Sequence, residues 1–131
     1  MTSKQSIIYP SIDARKYLGL AARLALTKSS LSLRTAANSA YYSAFLFSRD
    51  QLAQKGYITP YYNSSDHDYV ARELKVQLGA IGNDENRLRT ARNKVVYDTR
   101  NLTSSQVQRL EWIIPTAAKI IKLVGSLPVH P

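Results

Sequence analysis

The sequence predicts an all-α, up-and-down bundle of four to five helices. Apolar residues recur at three- and four-residue spacing through long stretches, and no run of alternating residues marks a strand. Glycine, proline and serine or threonine signals interrupt the pattern at helix-like intervals. The 131 residues suit one domain, 1–131, with its core at about 11–124 and a short tail at each end. There is no internal repeat or low-complexity segment.

The first helix is expected over 11–28, just after Pro10, with Ile12, Leu18, Ala21, Ala22 and Ala25 on one face. Gly19 weakens it without ending it, and Ser29-Ser30 offers a break and a new cap. Residues 31–54, LSLRTAANSAYYSAFLFSRDQLAQ, are the most apolar long segment and hold neither Pro nor Gly. Leu33, Ala37, Ala40, Tyr41, Ala44, Phe45, Phe47 and Leu52 cover a broad arc, which predicts a central helix that Gly56 ends. Its alanines permit close helix approach while its aromatic residues fill wider gaps. GYITPYYNSS, 56–65, has the turn chemistry of a loop, with three tyrosines that suit either the core or an interface.

Ser65 or Asp66 should cap a third helix near 66–78, with Val70, Leu74, Val76 and Leu78 on its apolar side. Gly79 and Gly82 bracket a predicted break, after which Asn83 or Asp84 opens a fourth helix carrying Leu88, Ala91, Val95 and Val96. Thr103-Ser104-Ser105-Gln106 has capping-box spacing ahead of Leu110, Ile113, Ile114, Ala117, Ile120, Ile121 and Val124. Pro115 is expected to bend or strain this fifth helix, and Gly125 and Pro128 to terminate it.

The chain has no cysteine, so disulfides, thiolate nucleophiles and cysteine metal sites are excluded, which suits a cytoplasmic protein. No apolar run reaches membrane-spanning length, and MTSKQSIIYPSIDARK lacks the apolar region of a signal peptide. The formal charge is +9, with +6 in the first 65 residues and +3 in the remainder. A field spread in this way attracts nucleic acid or an acidic partner, and equally maintains solubility.

RLRTARNKVVYDTR, 87–100, concentrates that charge: Arg87, Arg89, Arg92, Lys94 and Arg100 stand against Asp98. On a helix, Arg89, Asn93, Tyr97 and Arg100 share one broad face. This row is either a solvated basic face, a phosphate contact made through arginine forks, or part of a catalytic site. Arg34, Asn38, Tyr41 and Tyr42 form a second polar-aromatic strip on the central helix, suited to a structural network or to a cleft wall facing Arg92. His67, between Asp66 and Asp68, is the one imidazole placed to act as an acid or base, and those carboxylates would favour its protonated form if close. His130 lies in the tail with no local constellation. No HExxH, zinc spacing, GxxxxGK or GxGxxG occurs, so no metal, ATP or dinucleotide cofactor is expected. Asp50 and Glu111 have no carboxylate partners at helical spacing, which removes support for two-carboxylate hydrolysis. A DNA-binding regulator would rest on charge alone, because no helix-turn-helix unit can be placed.

RTAANSAYYSAFLFSRDQL, SSDHDYV and RLRTARNKVVYD together, in this order over about residues 15–123, resemble the HEPN family (higher eukaryote and prokaryote nucleotide-binding domains), in its small stand-alone prokaryotic form. The resemblance implies a helical bundle that forms a homodimer and binds RNA or a nucleotide in a basic cleft between subunits. It further implies a metal-independent endoribonuclease of a toxin–antitoxin or defence system, paired with a nucleotidyltransferase antitoxin. Arg92 matches the family's motif arginine and Asn93 the polar residue after it, while Tyr97 stands where the motif has histidine. His67 matches a histidine common at the start of the third helix, outside that motif. Arg89, Arg92, Lys94 and Arg100 would contact nucleic acid, and Arg34, Asn38 and Tyr41 would line the cleft. Tyrosine keeps an O–H donor at position 97 but removes a group that titrates near neutrality. Catalysis by Arg92, Asn93 and Tyr97, with or without His67, therefore stands beside the alternative of an inactive interaction module that binds a nucleotidyltransferase or other protein.

Overall fold

The computed structural model describes residues 13–27, 29–97 and 100–131. Residues 11, 12 and 28 of the first predicted helix, and Asp98, lie outside them. Five α-helices make an up-and-down bundle, with no strand among the described residues: α1 (Arg15–Thr27), α2 (Ser30–Gln54), α3 (Ser65–Leu78), α4 (Ala80–Tyr97) and α5 (Ser104–Gly125).

The central position of α2 follows from its composition. Ala36, Ala37, Ser39, Ala40, Ser43 and Ala44 are all buried, and side chains this small let neighbouring helices approach from several sides. The hydroxyl of Ser43 then donates 2.9 Å to the Ala14 carbonyl at the start of α1. Tyr41, Phe45 and Leu52 fill the wider spaces against α3, α4 and α5. Ser29 caps α2, its hydroxyl accepting 3.1 Å from the Ser32 amide. The predicted capping box on α5 is present: Thr103 accepts from the Gln106 amide at 3.2 Å, and the Gln106 side chain accepts from the Thr103 amide at 2.8 Å. Pro115 lies within α5, which continues through it; Pro115 and Glu111, whose carbonyl loses its usual partner, are both exposed.

The α3–α4 connection departs from the expected break. Gly79 alone separates the helices, in the left-handed region at φ +63°, and α4 begins at Ala80 rather than at Asn83 or Asp84. Gly82 is a buried residue of α4 pressed against the backbone of α3. Val76, expected on the apolar side of α3, is 74% exposed, because the inward stripe runs through Val70, Ala71 and Leu74. Ala22 likewise faces water, leaving Ala21 as the buried residue of α1.

Arg34 closes the far end of α4. Its Nε donates 3.0 Å to the Ser30 hydroxyl, Nη1 donates 2.6 Å to the Val95 carbonyl, and Nη2 donates to the Arg100 carbonyl. A guanidinium at carbonyls of a helix C-terminus satisfies orphan acceptors and the helix dipole together. Arg34→Met is expected to lower unfolding free energy by about 1–3 kcal/mol, the usual scale for hydrogen bonds to a charged donor. Urea denaturation with an unchanged midpoint would contradict this role.

The C-terminal segment is tied down at the end of α2. The Tyr57 hydroxyl donates 2.7 Å to the Pro128 carbonyl, and the His130 amide donates 2.8 Å to the Lys55 carbonyl. The rings of Tyr57 and His130 lie 4.9 Å apart, so His130 has a structural partner that its place in the tail did not suggest.

Candidate functional site

The inward stripe of α4 reads Ile81, Glu85, Leu88, Arg92 and Val95, alternating steps of four and three residues. Two of the five are charged, and both are buried: Glu85 is 1% exposed and Arg92 is 7% exposed. Arg92 therefore points toward α2, where its guanidinium carbon sits 4.8 Å from the Tyr41 ring and 5.4 Å from the Tyr42 ring. Its Nε has no hydrogen-bond partner.

His67, at the start of α3, enters the same corner. Its ring stacks on Phe45 with centroids 4.2 Å apart, and its Nδ1 is hydrogen-bonded to the Tyr41 hydroxyl. Burial, then the positive charges of Arg89 and Arg92, lower the His67 pKa below its ordinary 6.5, outweighing Asp68 and Asp66. The flanking carboxylates do favour the protonated form, as the sequence suggested, but less than burial and the two arginines oppose it. Asp66 is turned away, accepting from the Tyr61 and Tyr62 amides at 2.9 and 2.8 Å, and Asp68 pairs with Arg89 at 2.8 Å.

Burial, with Glu85 reinforcing it, pushes the Tyr41 hydroxyl well above the usual tyrosine range, so it stays protonated. A protonated phenol beside a neutral imidazole is best satisfied when Tyr41 donates to Nδ1 and Nε2 carries the ring proton. His67 can then present an N–H to a ligand oxygen, next to the guanidinium groups of Arg89 and Arg92.

The structure brings together Arg92, Arg89, His67 and Tyr41, and separates the other predicted residues from them. Asn93 is exposed and Tyr97 is 73% exposed, whereas Arg92 on the same helix is buried, so the three do not form one constellation within a chain. Lys94 lines a groove between α4 and α5, and Arg100 lies beyond the end of α4. Arg34 serves the α4 C-terminus, and Asn38 opens on a hollow lined by Tyr17, Ser39, Tyr42 and Leu46. Arg34, Asn38 and Tyr41 consequently belong to three different environments.

Arg49 and Glu85 are not singled out by the sequence, and Phe45 is placed by it on the apolar arc of α2 but not in the site. Phe45 had a signal, its four-residue spacing from Tyr41 below an aromatic-rich turn; Glu85 had one in its place on the stripe through Leu88 and Val95. Among the described residues, no group of three or more His, Asp or Glu side chains could hold a metal ion, and no helix is long and apolar enough to cross a membrane. Comparison of the chain with protein-family models, curated proteins and solved structures found no match.

Proposed function

We propose that this chain is a HEPN-like protein that binds RNA or a nucleotide, with phosphate held at the corner where α2, α3 and α4 meet. The observation that carries the reading is the convergence of two arginines from α4 with an imidazole from α3, its Nδ1 held by Tyr41. Arg89 and Arg92 supply forked donors for phosphoryl oxygens, and neutral His67 can donate from Nε2. Two copies meeting at this corner would form the basic intersubunit cleft. If such a cleft cleaves RNA, the 2′-hydroxyl attacks the adjacent phosphate, with His67 as the proton-transfer group and the arginines stabilising charge. That assignment gives His67 the part for which Tyr97 is poorly placed within the chain.

The test is the affinity for labelled single-stranded RNA across a salt series. Binding should weaken as salt rises, and Arg89→Gln or Arg92→Lys should lower affinity about tenfold, with circular dichroism showing retained helix. Affinity that ignores both salt and these substitutions would refute the phosphate site. Cleavage, where seen, should leave 2′,3′-cyclic phosphate ends in the presence of a chelator.

The alternative, an inactive interaction module, is favoured by the separation of Asn93 and Tyr97 from Arg92. A nucleotidyltransferase or other protein partner would then meet the outer face of α4. The groove of about 330 Å³ beside that face, lined by Ala91, Val95, Leu110 and Trp112 with Arg87 and Lys94, suits such a contact.

A further inference from the structure

The loop between α2 and α3 holds a tyrosine in a conformation that tyrosine disfavours. Tyr62 has φ +58°, in the left-handed region where a side chain crowds its own backbone, and it is the single non-glycine residue there among those described. Glycine or asparagine would fit such a turn more easily. The conformation is enforced from below: the fully buried Asp66 carboxylate accepts from the amides of both Tyr61 and Tyr62. Yet the ring that this arrangement holds is 70% exposed, so packing in the core does not explain why a large aromatic residue occupies the site. Strained backbone that displays an exposed side chain is a recurrent feature of binding surfaces.

What lies beside Tyr62 indicates what it displays the ring to. The Arg49 guanidinium carbon sits 5.0 Å from the Tyr62 ring centroid and 5.9 Å from that of Phe45. Phe45 stacks in turn on His67, and Tyr41 under Arg92 lies one turn further along α2. Tyr41, Phe45 and Arg49 follow at four-residue intervals, so the two arginines flank a strip spanning about two helical turns, about 12 Å. Tyr41 and Phe45 are buried and form the floor of this strip, which leaves Tyr62 as its exposed ring. An exposed aromatic ring with a guanidinium beside it is a pairing that binds an unpaired strand, base on the ring and phosphate on the cation.

We propose that Tyr62 is a base-stacking subsite for single-stranded RNA, with Arg49 beside it and the neighbouring phosphates extending to Arg89 and Arg92. This rests on the nucleic-acid reading above and adds to it the strandedness of the ligand and a second contact remote from the imidazole. A duplex keeps its bases stacked internally and offers no free face to Tyr62. Discrimination between single and double strands therefore belongs to this residue, whereas the arginines contribute to both.

The experiment measures affinities of the full chain for a short labelled oligoadenylate and for a labelled RNA duplex of equal length. Tyr62→Leu and Tyr62→Gly should weaken oligoadenylate binding by about fivefold or more, and Tyr62→Phe should preserve it. None of the three should change duplex binding, and Tyr62→Gly should unfold at a higher temperature because it relieves the left-handed strain. Unchanged oligoadenylate affinity in Tyr62→Leu, alongside weakened binding in Arg92→Lys, would overturn the stacking subsite and leave the phosphate site standing. Absence of RNA binding by the unmodified chain would overturn both. A shift in oligomeric state on sedimentation of Tyr62→Leu, with affinity unchanged, would assign the tyrosine to a protein contact instead.

Discussion

Replacing Glu85 by leucine should stabilise the protein by several kcal/mol at pH 8 and flatten its stability between pH 5 and pH 8. Glu85 is 1% exposed, and neither carboxylate oxygen has a hydrogen-bond partner. Burial pushes its pKa up to about 8, against a weaker opposing pull from Arg89. The unfolded chain releases this proton near the ordinary 4.5, whereas the folded chain keeps it until about pH 8. Between those values the folded state holds more protons, so stability falls as pH rises, by about 1.4 kcal/mol per pH unit where the two states differ by one full proton. The contribution is fully present below pH 4.5 and lost as pH passes about 8.

Leucine removes both the buried charge at high pH and the unmade hydrogen bonds of the neutral acid at low pH, at similar volume. Glutamine removes only the charge, so Glu85→Gln should flatten the pH profile with a smaller gain at low pH. His67 acts in the opposite sense, its lowered pKa making the folded state gain stability as pH rises from that lowered value toward the ordinary 6.5. That term is common to parent and variant and cancels in their difference. Urea unfolding at several pH values reads the result directly. Parallel stability curves for the parent and Glu85→Leu would show that the carboxyl is not held neutral in the core.

The helices were legible because their signals are local. The capping box at Thr103 and Gln106, the cap at Ser29 and the alanine-rich arc of α2 each depend on residues within a few positions of one another. The misplaced features depend on neighbours distant in sequence. Gly82 resembles a helix breaker until α3 is seen against it, and Val76 satisfies an apolar pattern while facing water. The basic run alone gives Arg92 the wrong neighbours, whereas the strip on the central helix, read as a possible wall facing Arg92, holds the two rings it meets. Its partners Tyr41 and Tyr42 lie about fifty positions earlier, and the helix turns Asn93 and Tyr97 outward. A charge run identifies a helix bearing cations without saying which cation faces inward, because a stripe of one hydrophobic surface can include Glu85 and Arg92. Asp66 shows the same limit: it reads as a helix cap, yet its carboxylate holds the preceding loop.

Gly82→Ala is expected to destabilise the fold by about 2 kcal/mol, although alanine is the better helix former by about 1 kcal/mol. A β-carbon at position 82 would lie 2.7 Å from the Ala71 carbonyl oxygen and from the amide nitrogen and β-carbon of Lys75. Two of these atoms are backbone, so no rotamer change relieves the contact and α4 must move away from α3. Gly19 supplies the control, since the nearest atom to a β-carbon there is the flexible end of Arg23 at 3.9 Å. Gly19→Ala should therefore show the helix-propensity gain without the clash. The consequence extends to the proposed phosphate corner, because the α3–α4 distance sets the Arg89–Asp68 ion pair at 2.8 Å and the approach of His67 to the arginines. In Gly82→Ala the His67 pKa, followed by proton NMR, should move back toward 6.5 as the positive charges recede. A Gly82→Ala protein as stable as the parent, with an unchanged His67 titration, would show that this contact does not hold the two helices together.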